Sequence, residues 1–454
     1  MPRVIVLAAC LIAGLLTSLA AQTNTSRSQR TTPQPPAAAR VIVTTVGPEE
    51  IPPDRYPSSM TISGDLSKIH YLYGRNTGPV TDGGNEDSGQ PSIVDGKVTR
   101  SLVVRNQFGG AISPDGAHAA IIKRVSGGVV VELDGKAGPT FLNVTDGVPL
   151  FSRDSKRLAY GVVLKKGCAT YIVDNKPSEC FSRVGPALFS PDGRRFAFVG
   201  NRSGRAILVT DGVPGREYAA VATPVFSNDG RAQAYWTRQL DGWYLVTNIR
   251  EDGPFDEAKG PNPTFSPEGK LAYVGVREGK TQLVVDAEPV AEAEDGFSSL
   301  VFSSTGKLAI FGMDVGSANL LIDGRRIASY GAAVGGIGFS SDGSHLAYGI
   351  QRDGQSYMVV DGIEHGAWQG IDTPPVFSPN GKHAAWIGTN EGRSRLVVDG
   401  VEAGPTFLGI LRGARIIFTS ENQFHLLVVL SETRAPSSNA SLARVGRLEV
   451  AVNP

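Results

Sequence analysis

Short apolar runs of four to seven residues alternate with clusters of Gly, Asp, Asn, Ser and Pro along nearly the whole chain. Residues 373–402 show the pattern. Pro375-Val376-Phe377-Ser378 reads as a strand, Ser-Pro-Asn-Gly as a tight turn, and His383 to Ile387 as a second strand. Asn390 to Arg393 turns the chain again, Arg395 to Val398 is a β-branched third strand, and Asp399-Gly400 is a two-residue hairpin signal leading into a fourth. Pro presets the second position of the first turn, Asn tolerates the third, and Gly takes the positive φ that follows. No long 3.6-residue periodicity occurs in the body of the chain, so the pattern predicts strands throughout.

The unit recurs. Phe189-Ser190-Pro191-Asp192-Gly193 has close copies at Phe265-Ser266-Pro267-Glu268-Gly269, Phe339-Ser340-Ser341-Asp342-Gly343 and Phe377-Ser378-Pro379-Asn380-Gly381. Looser copies begin at Ile112, Phe151, Phe226 and Phe302, and worn ones at Ile62 and Phe418. From Ser63 to Ser378 the serines are 50, 39, 38, 37, 39, 37, 37 and 38 residues apart. A period near 38 marks repeated supersecondary units. Four antiparallel strands in that length make one propeller blade. The second strand carries Ala159, Ala197, Ala272, Ala309, Ala347 and Ala385, where blades must approach closely, each followed by a large side chain such as Tyr160, Phe198 or Trp386. Burying each large side chain is worth about 1.5–3 kcal/mol.

These repeats, Phe-Ser-Pro-Asp-Gly followed after two residues by Leu/Phe-Ala-Tyr/Phe, resemble those of TolB-type, WD-repeat-like bacterial propellers over residues 58–430. The resemblance implies an all-β propeller and says little about activity, since such blades serve many unrelated proteins. Ser63 through Ser420 count ten units, which predicts one ring of about ten blades, with two five-bladed rings as the alternative. The last unit lacks a fourth strand after Leu448–Val452, and Arg434 to Arg444 reads as a loop. Val41 to Val46 is a spare strand of the right type. It is expected to complete that last blade and remove two exposed sheet edges.

Composition adds the setting. The 454 residues carry 44 basic and 44 acidic side chains, a balance that argues against a nucleic-acid partner. Arg3, the apolar run Val4 to Leu16 and the small residues Leu19-Ala20-Ala21 read as a signal peptide, residues 1–21. The run is too short to span a bilayer, so no stable membrane span is expected after cleavage. Leu7-Ala8-Ala9-Cys10 looks like a lipoprotein box, but only five residues would then form the apolar region. Residues 22–40, rich in Thr, Ser, Gln, Pro and Ala, read as a disordered linker, and 41–454 as the propeller. The expected location is periplasmic or secreted. There Cys168 and Cys180, flanking a third strand, are expected to form a disulfide.

Propeller connectivity places the turns after strands one and three on one face. The loops after strands two and four lie on the other, where variation and binding are expected. An insertion at Gly74 to Gln90 holds Asp82, Glu86 and Asp87; calcium is the sharp reading, but the ordered spacing of a calcium loop is missing, and a solvated loop is preferred. Arg238, Arg277 and Arg352 suggest a basic rim, although acids such as Asp241, Glu278 and Asp353 are interspersed. Trp243 and Trp368, at or near these loops, are candidate anchors for a sugar or protein partner, whereas Trp236 and Trp386 read as core. His118, His345 and His383 share one position with Arg157 and Arg195; a metal reading is set aside for ordinary solvent-facing strand residues. No Gly-x-Ser-x-Gly elbow, His-Glu-x-x-His, phosphate-binding loop or Cys-x-x-Cys pair occurs, so no cofactor is expected. Two classes stay open: a binding or scaffold propeller for a protein, peptide or glycan, and a glycan hydrolase or lyase whose site leaves no linear motif.

Overall fold

A computed structural model describes residues 39–45, 55–62, 69–75, 92–94, 97–99, 107–145, 148–410, 414–434 and 441–452. Residues 1–38, which hold the signal and nearly all of the linker, and Asp82, Glu86 and Asp87 of the insertion lie outside the described residues; Arg40, expected to end the linker, begins a strand. Every regular element among the described residues is a β-strand. They form successive four-stranded antiparallel sheets, each a meander of about 38 residues, which is the architecture of propeller blades. One sheet runs Arg183–Phe189, Phe196–Arg202, Arg205–Thr210, Val213–Tyr218. The next opens on Ala220–Val221 and Val225–Phe226 and continues through Gln233–Arg238, Trp243–Thr247 and Glu251–Phe255. Near the start of the chain, Arg55–Ile62 pairs with Ile69–Arg75, and Ser92–Val94 with Lys97–Thr99.

The last sheet draws on both ends of the chain. Its fourth strand is Arg40–Thr45, antiparallel to Ser441–Ala451 from Arg40↔Ala451 to Thr45↔Gly446. Its second and third strands, Gln423–Arg434 and Ser441–Ala451, run further than the sequence suggested. Pairing continues past a register shift near Leu430, so Arg434 and Ser441 to Arg444, expected as loop, are strand.

The signature turn is a hydrogen-bonded device. In the 183–218 sheet the buried Ser190 Oγ accepts the Arg195 N–H at 2.9 Å and donates to Asp192 Oδ1 at 2.5 Å. Asp192 Oδ1 also accepts the Arg194 N–H at 3.2 Å, and Gly193 takes φ 73°. The hydroxyl is buried with both roles filled, which explains why Ser recurs. The Asp of the third-to-fourth turn does a second job: Asp211 Oδ1 accepts the Phe196 N–H at 2.8 Å, and Oδ2 takes Arg195 Nε at 2.9 Å. His118, His345 and His383 repeat that bond from Nδ1 to Asp134, Asp361 and Asp399 at 2.7, 2.6 and 2.7 Å, and Arg157 repeats it to Asp174 at 2.8 Å. These side chains therefore hydrogen-bond the turn carboxylate; His118 and His345 stay exposed as expected, whereas His383 is buried. A carboxylate fixed by a backbone N–H selects a donor of either type beside it.

Sheets stack through apolar clusters shared by neighbours. Trp236, Leu245 and Phe255 of the 220–255 sheet meet Leu271, Tyr273 and Val284 of the next. The repeated alanines Ala159, Ala197, Ala272, Ala309, Ala347 and Ala385 are fully buried. A second device was not evident from sequence. The aromatic that ends one fourth strand lies against a glycine in the second strand of the following sheet. A Cβ on Gly200 would sit 2.6 Å from Phe181, on Gly275 2.7 Å from Phe255, and on Gly388 2.4 Å from Trp368. Cys168 and Cys180 form the expected disulfide, with Cα atoms 4.8 Å apart.

Candidate functional site

The face carrying the second-to-third turns is less varied than connectivity suggested. Ser203-Gly204, Glu278-Gly279, Asp353-Gly354 and Glu391-Gly392 are two-residue hairpins with both residues at positive φ. A right-handed strand twist favours such turns, so length variety is lost there. Gln239 to Gly242 is longer, a four-residue connection closed by the Gln239 N–H on the Gly242 carbonyl at 2.8 Å. Leu240 stands fully exposed at its tip.

The predicted site residues that lie among the described ones have definite places. Trp368 is 4% exposed and belongs to the core, not to a loop surface, because the last residue of a fourth strand inserts into the next sheet. Arg202, Arg238, Arg277 and Arg352 each end a second strand. Three of them are spent within the protein. Arg202 bonds Glu179 at 2.7 Å and covers Phe181; Arg277 bonds Asp252 at 3.2 Å and covers Phe255 at 4.1 Å. Arg352 grips Glu364 through two bonds of 2.9 and 2.8 Å and lies over Tyr357. Arg238 lies over the half-buried ring of Trp243, 5.9 Å from its centre, with no carboxylate partner among the described residues.

Arg238 lines a cleft of 380 Å³ between the 183–218 and 220–255 sheets, together with Arg205, Arg216, Tyr218, Leu240 and Asp241. Arg216 reaches Glu251 at 2.7 Å, and Glu251 also accepts from Tyr218 at 3.2 Å and Gln239 at 3.2 Å. Burial pushes the Tyr218 hydroxyl well above its ordinary value, and the neighbouring Glu251 carboxylate adds to the shift, so Tyr218 acts as a neutral donor. Asp241 is held by Tyr244 Oη at 2.7 Å, and that bond raises the Tyr244 pKa. Arg205, like Arg238, has no carboxylate partner among the described residues. The cleft therefore presents two uncommitted guanidinium groups beside a fully exposed leucine. Among the described residues no cluster of three or more His, Cys, Asp or Glu side chains could hold a metal ion.

No protein-family model matches the chain, and no curated protein matches it. Solved structures that resemble it include a eukaryotic initiation factor, at 13% identity over 80% of this chain and 90% of that one, with a TM-score of 0.43. The Cps50 (Swd1) β-propeller domain of Myceliophteria thermophila matches at 14% identity over 60% and 98%, with a TM-score of 0.30. TolB from Acinetobacter baumannii matches at 14% identity over 66% and 82%, with a TM-score of 0.27.

Proposed function

We propose that this propeller is an exported binding or scaffold module that engages its partner through the 238–243 hairpin and the cleft beside it. One observation carries the reading. Four arginines occupy the same place in four sheets, and the one with no internal carboxylate stands beside the longer hairpin and its solvated leucine. Exposed apolar tips flanked by unpaired arginine are the composition of an interaction surface. Export is supported by the Cys168–Cys180 bond, which persists in oxidising compartments, and by the apolar run from Val4 to Leu16. No helix of the described residues is long and apolar enough to cross a membrane. We read the repeat itself as TolB-type, on its Phe-Ser-Pro-Asp-Gly turn and the Leu/Phe-Ala-Tyr/Phe strand that follows.

The test is site-resolved photocrosslinking in the cells that make the protein. A benzophenone amino acid at Leu240 is expected to trap a discrete partner. The same group at Ile363, exposed at the start of a fourth strand beside the Asp361-Gly362 turn, is expected to trap none. Adducts at 363 alone, or equally at both, would place the working surface elsewhere.

A further inference from the structure

We infer that the cleft between the 183–218 and 220–255 sheets receives a short acidic peptide segment, its carboxylate held by Arg238 and Arg205 and a neighbouring aliphatic side chain laid against Leu240. The inference deepens the binding-module reading and rests on it.

The argument compares equivalent positions. Glu179 stands two residues before Phe181, which ends its outer run against the next sheet, and Glu179 supplies the carboxylate for Arg202. Asp252 stands three residues before Phe255 and supplies it for Arg277. In the 183–218 sheet the aromatic is Tyr218. The residue two before it is Arg216, and three before it is Gly215. Where the neighbouring sheets place an acid, this one places a third guanidinium. Arg216 bonds Glu251 of the following sheet, and neither Arg238 nor Arg205 has a carboxylate within bonding distance among the described residues, although Glu217 and Asp241 line the same cleft. A planar guanidinium prefers a bidentate carboxylate, and the fold supplies that partner at the sister positions. Here no acid of the chain takes that sister position.

Charge also narrows the ligand. Glu217 and Asp241 line the same cleft, so a polyanion such as a sulfated glycan would meet repulsion at the rim. A single carboxylate between apolar side chains meets less of that repulsion, and Leu240 offers the apolar surface. Trp236, Trp368 and Trp386 are buried, so Trp243 beneath Arg238 is the tryptophan placed to report on occupancy.

The experiment titrates the full chain with N-acetylated, C-amidated tetrapeptides carrying one Asp or Glu among Leu residues, followed by tryptophan fluorescence and calorimetry. Saturable binding is expected, with at least a tenfold loss in Arg238→Gln and in Arg205→Gln and no change in Arg352→Gln. The matched Leu/Asn and Leu/Gln peptides are expected not to bind. Several outcomes would overturn the inference: no saturation by any acidic peptide up to about 10 mM, equal binding of the amide peptides, unchanged affinity in both arginine variants, or displacement by a sulfated hexasaccharide at lower concentration. Charge-independent peptide binding would remove the inference while leaving the module reading intact. Loss of the Leu240 crosslink would remove the module reading itself.

Discussion

Gly388→Ala adds one methyl group and should cost as much as a poor core mutation. The new Cβ would sit 2.4 Å from the Trp368 ring, far inside van der Waals contact. Gly366 also approaches the ring closely, and a Cβ there would lie 2.0 Å from Nε1. Trp368 is 4% exposed, so displacing it surrenders a large apolar contact between the 370–407 sheet and its predecessor. Overpacking a filled core costs about 1–3 kcal/mol, and Trp368→Ala alone about 3–5 kcal/mol. The diagnostic is the double-mutant cycle. In the Trp368→Ala background the extra methyl enters a cavity, so Gly388→Ala should cost less than about 0.5 kcal/mol there. Urea unfolding gives the global values; hydrogen exchange over Ala384–Asn390 reports the local opening expected of a protein whose units contact mainly their neighbours. Equal costs in both backgrounds, or a negligible cost in the parent protein, would refute the packing argument. Gly200→Ala against Phe181 is an independent replicate.

Three further outcomes are expected. Cys180→Ser opens a cross-link spanning 12 residues and should lower stability by about 3 kcal/mol, read as a shift of the urea midpoint between oxidised and reduced protein. The hydroxyls of Ser113, Ser152, Ser190 and Ser227 hold the carboxyls of Asp115, Asp154, Asp192 and Asp229 below their ordinary value. Depressed folded-state pKa values stabilise fully above the unfolded value of about 3.9 and lose that contribution as pH falls below it. Ser190→Ala should accordingly raise the Asp192 pKa in a carboxyl NMR titration; an unmoved titration would contradict the turn's wiring. Removing residues 40–45 bares the Ser441–Ala451 edge and should cause self-association seen by gel filtration, reversed by a peptide spanning 39–45; a monomer of parental stability would show the strand is dispensable.

The strands and both turns were legible because their chemistry is local. Asp-Gly, Ser-Pro-Asp-Gly and alternating apolar residues each name a backbone conformation within a few positions. What stayed hidden lies between sheets. Trp368 reads as a loop residue because it precedes Gln369-Gly370 in the chain, yet its ring is received by Gly388, on the next sheet. Arg238, Arg277 and Arg352 look alike in sequence; only the positions of Asp252 and Glu364, 25 and 12 residues away from their partners, separate spent from unspent charge. The bond of His118, His345 and His383 to the turn aspartate is not visible in the chain, because that aspartate is already explained as a turn former and lies 16 residues on.

The closing pair of strands imposes an order on biogenesis. Arg40–Thr45 leaves the ribosome early, but its partner Ser441–Ala451 is made almost last. At about 5–20 residues per second the first strand waits roughly 20–80 s for its mate. During that interval a β-branched segment is on offer to any passing edge. A chain that stops before residue 441 leaves the first strand without that mate, so a loss at either terminus exposes the same seam.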